Sequence, residues 1–89
     1  MNDPVILRAQ VRKALSIAPR RQGGRRSLSE DMLKTSVERL VGNHVSVPEF
    51  QAALEWNHAR NLVDFQYDTD AEANFWELTR KGREKEGVA

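Results

Sequence analysis

The segment that most constrains the fold is residues 45–67, VSVPEFQAALEWNHARNLVDFQY, because helix signals are followed there directly by strand signals. Ser46 and Glu49 have the spacing of a capping box, and Pro48 suits the first turn of a helix. After this helix apolar and polar side chains alternate, which is typical of a strand. We therefore predict a helix over residues 46–60 that passes into a strand through a short break.

Two more helices are predicted upstream of this segment. An Asp-Pro pair near the beginning favours a first helix within residues 1–18. Ser27 and Glu30 have the spacing of a second capping box, which predicts a helix over residues 28–41. Its tight, glycine-containing connection to the 46–60 helix is typical of a helix–turn–helix, although any small helical bundle offers the same pair.

A β-hairpin is predicted over residues 62–78, because a second alternating run begins at residue 73 and a short polar loop separates the two runs. We expect the large aromatic side chains of these strands, Tyr67 among them, to lie mainly in the core. Residues 79–89 are expected to form a basic, frayed tail. With 89 residues the chain has room for one domain, predicted to be mostly α-helical with a small hairpin.

The net charge of +1 conceals an uneven layout of charged residues. Residues 1–26 contain seven basic residues and one acidic residue, and residues 80–89 contain four basic and two acidic ones. Residues 27–79 contain only three basic residues and ten acidic ones. Such asymmetry favours a nucleic acid or another acidic partner at the two ends, and a different role for the middle.

The loop at residues 19–26, PRRQGGRR, is the most unusual part of the sequence. Its four arginines flank two glycines, and clustered guanidinium groups suit phosphate oxygens. We select Arg20, Arg21, Arg25 and Arg26 as candidate phosphate contacts, with a solvated loop of no function as the alternative. The glycines do not match a nucleotide-binding P-loop, since the required lysine and preceding strand are missing.

The 46–60 helix supplies the candidates for base contacts. Its outer face presents Gln51 and His58, the residue types there that can bond to base edges, but Glu49 and Glu55 lie beside them and would repel phosphates. Further phosphate contacts are expected from the end of this helix and from the basic tail. These additional candidates are Arg60, Lys81 and Arg83, with Arg8 and Arg12 of the first helix in support.

Two stretches resemble parts of bacterial winged-helix regulators. The sequence FWELTRKGR at residues 75–83 is similar to the end of the wing in that family. Residues 50–54, FQAAL, with residues 61–63, NLV, are similar to the third helix and its exit to the second strand. The resemblance extends over roughly residues 28–83. It implies three helices with a two-stranded wing, and a cytoplasmic, often dimeric, DNA-binding role. The acidic third helix and acidic wing tip depart from the family pattern.

Other function classes find little support in the sequence. Cysteine is absent, and a Glu55-x-x-His58 pair is only half of a carboxylate metal motif, so no metal or cofactor is expected. No nucleophile elbow, kinase or dehydrogenase signature is present, which argues against an enzyme. No apolar run is long enough for a membrane span. The expected location is the cytoplasm.

Two hypotheses follow. In the first, the protein binds double-stranded DNA as a small winged-helix transcriptional regulator or phage-type accessory factor, with phosphate contacts from its basic loop and ends. In the second, the winged helix is a protein–protein interaction module without DNA binding, and its acidic third helix and wing meet a protein partner or a second copy in a homodimer. We prefer the first hypothesis.

Overall fold

The computed structural model describes residues 1–21 and 23–88, which form four helices and a three-stranded antiparallel sheet. The helices are α1 (Pro4–Ser16), α2 (Glu30–Val41), α3 (Val47–Ala59) and α4 (Arg80–Glu86). The strands are β1 (Leu28–Ser29), β2 (Val63–Asp68) and β3 (Ala73–Leu78). No helix in the described ranges combines the length and apolar character that a bilayer span requires.

Local signals at the starts of α1 and α3 act as predicted. The Asp3 side chain accepts a hydrogen bond from the Val5 amide, and Pro4 occupies the first turn of α1. At α3 the capping box is complete, with the Glu49 amide donating to Ser46 and the Ser46 amide donating to Glu49. Both caps satisfy amide groups that would otherwise lack a partner at a helix start.

The predicted start of α2 was wrong. The helix begins at Glu30, and its N-cap is Ser29, whose hydroxyl accepts from the Met32 amide. Ser27 is buried instead, and its amide donates to the Pro19 carbonyl. The reason is that Leu28 and Ser29 are held in extended conformation by pairing with β3, a long-range contact that the local capping pattern does not contain.

The sheet has the order β1-β3-β2, so the hairpin of β2 and β3 is joined at one edge by the short β1. Its register places Phe65 opposite Trp76 and Tyr67 opposite Asn74 on one face. Trp76 is buried as expected for a core aromatic, but Tyr67 is 60% exposed because the outer half of the hairpin extends beyond the helices. The other face of the hairpin carries Phe75 and the acidic side chains that are described below.

The core lies between α1, α2, α3 and the inner face of the sheet. Its members are apolar side chains from all three helices, from β1 and from the inner half of the hairpin. They are Leu7, Val11, Ala14, Leu15, Ala18, Leu28, Leu33, Val37, Val45, Phe50, Ala53, Leu54, Val63, Trp76 and Leu78. Their burial supplies most of the driving force for folding.

The expected three helices with a two-stranded hairpin therefore lack two elements, β1 and α4. Residues that were expected to fray form α4, whose N-cap is Thr79; the Thr79 hydroxyl accepts a hydrogen bond from the Gly82 amide. Gly82 is buried, and a Cβ atom at that position would overlap the carbonyl oxygen of Leu62. Glycine is thus the residue that lets α4 pack closely on the start of the hairpin.

Candidate nucleic-acid interface

The loop at residues 19–26 is folded rather than extended into solvent. Arg20 and Arg26 form an isolated antiparallel bridge, and the Arg21 amide donates to the Arg25 carbonyl. Gly23 and Gly24 have φ values of 91° and 78°, which side chains disfavour. The glycines therefore allow a tight reversal that carries the arginines back along the sheet; Gln22 lies outside the described residues.

Two of the four loop arginines are paired with the acidic face of the hairpin. Arg21 lies 2.8 Å from Asp68 and its guanidinium stacks 3.5 Å from the centre of the Phe75 ring. Arg25 lies 3.0 Å from Glu77. The Arg21 guanidinium, followed by the Ala71 amide, lowers the pKa of Asp68 below its ordinary value. The acidic hairpin thus has a role that the sequence did not reveal, because it binds the basic loop.

Arg20, Arg25 and Arg26 of the loop meet the last helix in a cleft of about 590 Å³. We call it the arginine cleft; four guanidinium groups and one carboxylate line it, so positive charge is in excess. Its lining residues are Leu15, Ser16, Arg20, Gly24, Arg25, Arg26, Glu77, Leu78, Arg83 and Val88. The structure therefore brings Arg83 of the supposed tail together with three of the four predicted loop arginines.

Three guanidinium groups of the arginine cleft each donate one hydrogen bond to a backbone carbonyl. Arg20 donates to the Gly24 carbonyl at 2.6 Å, Arg26 to the Ala18 carbonyl at 2.8 Å, and Arg83 to the Leu78 carbonyl at 3.1 Å. Within the described residues none of these three has a carboxylate at ion-pair distance. Since a guanidinium carries five N–H donors, each retains donors for an anion.

Arg60 and Lys81 belong to a second basic cluster, which we call the indole patch and define as Arg8, Trp56, Arg60 and Lys81. The guanidinium groups of Arg60 and Arg8 lie 3.9 Å and 4.8 Å from the centre of the Trp56 ring. The Lys81 ammonium donates to the Arg60 carbonyl at 3.3 Å. Cation–π contact with the indole orients both guanidinium groups without neutralising them.

The two candidates for base contacts are engaged within the protein. Gln51 donates to Glu30, the same carboxylate that accepts from the Trp76 indole. His58 lies 3.7 Å from Asp64, and its ring is 5.6 Å from the centres of both Phe65 and Trp76. Both side chains therefore help to fasten α3 to α2 and the sheet.

The outer side of α3 is negatively charged. Glu49 accepts from the Ser46 amide and from the Asn2 amide, and these bonds lower its pKa to about 2. It is therefore ionised at every physiological pH. Glu55 is exposed on the same helix. Glu49 and Glu55 are the two carboxylates from which the sequence predicts repulsion of phosphate groups.

A buried polar network that the sequence did not predict joins α1, α3 and α4. Asn57 is fully buried, accepts from Arg12 at 2.9 Å, and donates to the carbonyls of Arg8 and Ala53. Arg12 also pairs with Glu86 at 3.0 Å. Arg12 was expected to support phosphate binding, but it is buried and its guanidinium is bonded to Asn57 and Glu86. The signal was Asn57, a polar residue that interrupts the apolar stripe of α3.

A mainly apolar groove lies between the N-terminal ends of α1 and α3. It encloses about 520 Å³. Its lining residues are Met1, Asn2, Pro4, Leu7, Arg8, Ser46, Pro48, Glu49, Ala52 and Ala53. We call it the α1–α3 groove, and it bears on the protein-interaction hypothesis.

Comparison with known proteins does not assign the chain to a family. No protein-family model matches the sequence, and neither the curated proteins nor the solved structures give a match. The described residues also contain no group of three or more side chains placed to hold a metal ion. The arginine cleft and the indole patch are therefore the features of the molecule that bear most directly on its function.

Proposed function

We propose that the protein is a small winged-helix-type domain that binds the phosphate backbone of duplex DNA through the arginine cleft. The observation that carries this proposal is the convergence of Arg20, Arg25, Arg26 and Arg83 on one concave surface. Guanidinium groups pair with phosphate oxygens through two parallel N–H donors, and they are the preferred cations for that contact. Binding of this kind is driven largely by release of counterions from DNA.

The proposed contact is with the backbone rather than with base edges. A base-reading helix offers donors and acceptors that are available to the major groove. In α3 the side chains best suited to that role, Gln51 and His58, contact Glu30, Asp64 and the sheet aromatics. Backbone contacts position a protein on DNA but contain no direct sequence information. We therefore infer weak sequence preference.

The order of elements supports the winged-helix interpretation. Helices α2 and α3 are joined by a turn at Gly42, where φ is 70°, and α3 leads into the β2–β3 hairpin through Asn61, where φ is 58°. Two helices followed by a hairpin are consistent with the order that the sequence resemblance implies, and β1 and α4 are additional to it. The wing itself has an acidic tip, so in this proposal it does not grip DNA but holds the basic loop in position.

Fluorescence anisotropy with random-sequence duplex DNA, titrated at several salt concentrations, tests the proposal. We expect binding that weakens steeply with salt. The triple variant Arg20→Ala/Arg26→Ala/Arg83→Ala should lower the slope of log K against log salt by up to about 2.7, since each lost phosphate contact contributes about 0.9.

The matched control changes two cations of α2 that line neither basic site, in the variant Lys34→Ala/Arg39→Glu. It changes the net charge by the same amount as the cleft variant. The proposal requires that the control retain most of the wild-type slope. Equal salt slopes in the cleft variant and the control would show that binding depends on overall charge and not on the arginine cleft. An absence of binding at low salt would overturn the proposal.

A second candidate function is a protein-interaction module without DNA binding. The α1–α3 groove favours it, because this groove is apolar and lies beside the ionised Glu49. The matching partner would be a basic segment with an apolar face. A partner recovered by the wild-type chain and lost with Ala52→Arg/Glu55→Lys would support this function, and recovery unaffected by those changes would reject it.

A further inference from the structure

The arginine cleft and the indole patch lie along one flank of α1. Arg8, Arg12 and Ser16 are spaced at i, i+4 and i+8 within the helix, so their side chains form one row. Arg8 contacts Trp56 of the indole patch, and Ser16 lines the arginine cleft. The two basic sites therefore mark the two ends of this row.

Helix α4 connects the same two sites. Lys81 reaches the Arg60 carbonyl in the indole patch, and Arg83 lines the arginine cleft. Two residues apart on a helix, these side chains point in directions about 200° apart, one to each site. Gly82, the residue between them, packs on the hairpin and Glu86 packs on Arg12. Helix α4 is therefore fixed between the sites with cations on both of its sides.

The distance between the sites suits a continuous DNA backbone. Eight residues of α1 separate Arg8 from Ser16, which corresponds to about 12 Å along the helix axis. Each strand of a duplex advances about 3.4 Å per nucleotide along its axis, so this distance is roughly three to four nucleotides. Arg12, which lies midway, is neutralised by Glu86 and is not available to DNA.

We propose that the indole patch is a second phosphate-binding site, and that a single duplex follows the α1–α4 flank from the arginine cleft to the indole patch. The proposal rests on the proposed DNA-binding function. Trp56 orients the Arg8 and Arg60 guanidinium groups toward phosphate through cation–π contact. In this arrangement α3 contributes only its C-terminal end to the DNA interface. Its acidic outer side lies outside that interface.

The first test is a patch variant, Arg8→Ala/Arg60→Ala/Lys81→Ala, compared with the cleft variant and with the matched control. We expect the patch variant to lower the salt slope independently of the cleft variant, by up to about 2.7, with the two effects adding in the combined variant. A lowered slope in the cleft variant alone would overturn this inference and leave the proposed function intact. Unchanged slopes in both variants would overturn the proposed function as well.

The second test uses the unmodified chain. The sequence contains two tryptophans, so a ¹H–¹⁵N spectrum shows two indole N–H signals that single Trp→Phe variants assign. Addition of a random-sequence 12-base-pair duplex should shift the signal of Trp56, which lies in the patch, more than that of Trp76, which is buried against Glu30. High salt should reverse the shift. A Trp56 signal that stays in place during binding would overturn the inference.

Discussion

The α1–α4 flank and the outer side of α3 are both helical surfaces, but they differ in where their carboxylates lie. On the flank Glu86 is turned inward to Arg12 and the exposed Glu84 is paired with Arg80, so the cations of the two basic sites are not neutralised by either carboxylate. On α3 the apolar stripe is turned inward, Glu55 is exposed, and the half-buried Glu49 lies at the helix start beside α1. The contrast teaches that element order alone does not identify a DNA-binding surface, since the charge pattern here favours the flank over the helix that usually reads DNA.

If the flank is the DNA-binding surface, charge reversal in the arginine cleft should have the largest effect on duplex affinity. In Arg26→Glu/Arg83→Glu two phosphate contacts become repulsive, and we expect a loss of duplex affinity of at least about 100-fold at low salt. Anisotropy measures the loss, and circular dichroism checks that the fold is kept. Reversal of Arg39 alone serves as the control, and a similar loss there would show that the cleft has no special role.

Gly82→Ala should disrupt the flank through packing and not through charge, because it displaces α4. The new methyl group would collide with the Leu62 carbonyl, so α4 must shift away from the hairpin. We expect a loss of about 1–3 kcal/mol in the free energy of unfolding, together with weaker DNA binding, because Arg83 moves with the helix. Urea denaturation measures the first effect. The exposed Gly87→Asn change, at a helix end where asparagine is tolerated, is the control, and equal losses would contradict the packing role of Gly82.

The acid dependence of stability tests the capping carboxylate of α3. The pKa of Glu49 is lowered to about 2 in the folded chain, whereas an unfolded glutamate titrates near about 4.3. A lowered folded pKa stabilises the fold above the unfolded value, and that contribution is lost as pH falls from about 4.3 to about 2. Glu49→Gln should therefore lower Tm at pH 7 but have a diminishing effect toward pH 2. A constant Tm difference across this range would contradict the assignment.

Glu55→Lys should have the smallest effect. If DNA follows the α1–α4 flank, a charge change on the outer side of α3 is screened by salt, and we expect affinity to change by less than about twofold at 0.15 M salt. Insertion of α3 into the major groove would instead make this change strongly favourable. A tenfold gain in duplex affinity, measured by anisotropy, would therefore indicate that DNA binds at α3 and not at the flank.

Features set by neighbouring residues could be predicted from the sequence. The Asp3 cap, the α3 capping box and the break at Asn61 each depend on residues within one helical turn, and the structure contains all three. The β2–β3 hairpin was also predictable, because alternation of apolar residues and a polar loop are local signals.

Features set by distant residues could not be predicted. Strand β1 exists because Leu28 and Ser29 pair with β3, and α4 is anchored by Glu86, which is 74 positions from its partner Arg12. The candidate site shows the same limit. The four loop arginines were recognisable as a group, but only the fold determines that Asp68 and Glu77 engage two of them and that Arg83 joins the others.

The pair of Arg12 and Glu86 also imposes an order on folding. When Arg12 is synthesised, the Arg8 carbonyl is its only partner already made, and Asn57 becomes available before Glu86 does. Until Glu86 is synthesised, the Arg12 guanidinium lacks its counterion. Burial of an unpaired guanidinium would be costly in free energy. We therefore expect the network of Arg12, Asn57 and Glu86 to be completed only when α4 docks, and the arginine cleft, which Arg83 lines, to form at the same step. Pulse-labelling hydrogen exchange should show protection in α4 and in Asn57 arising together.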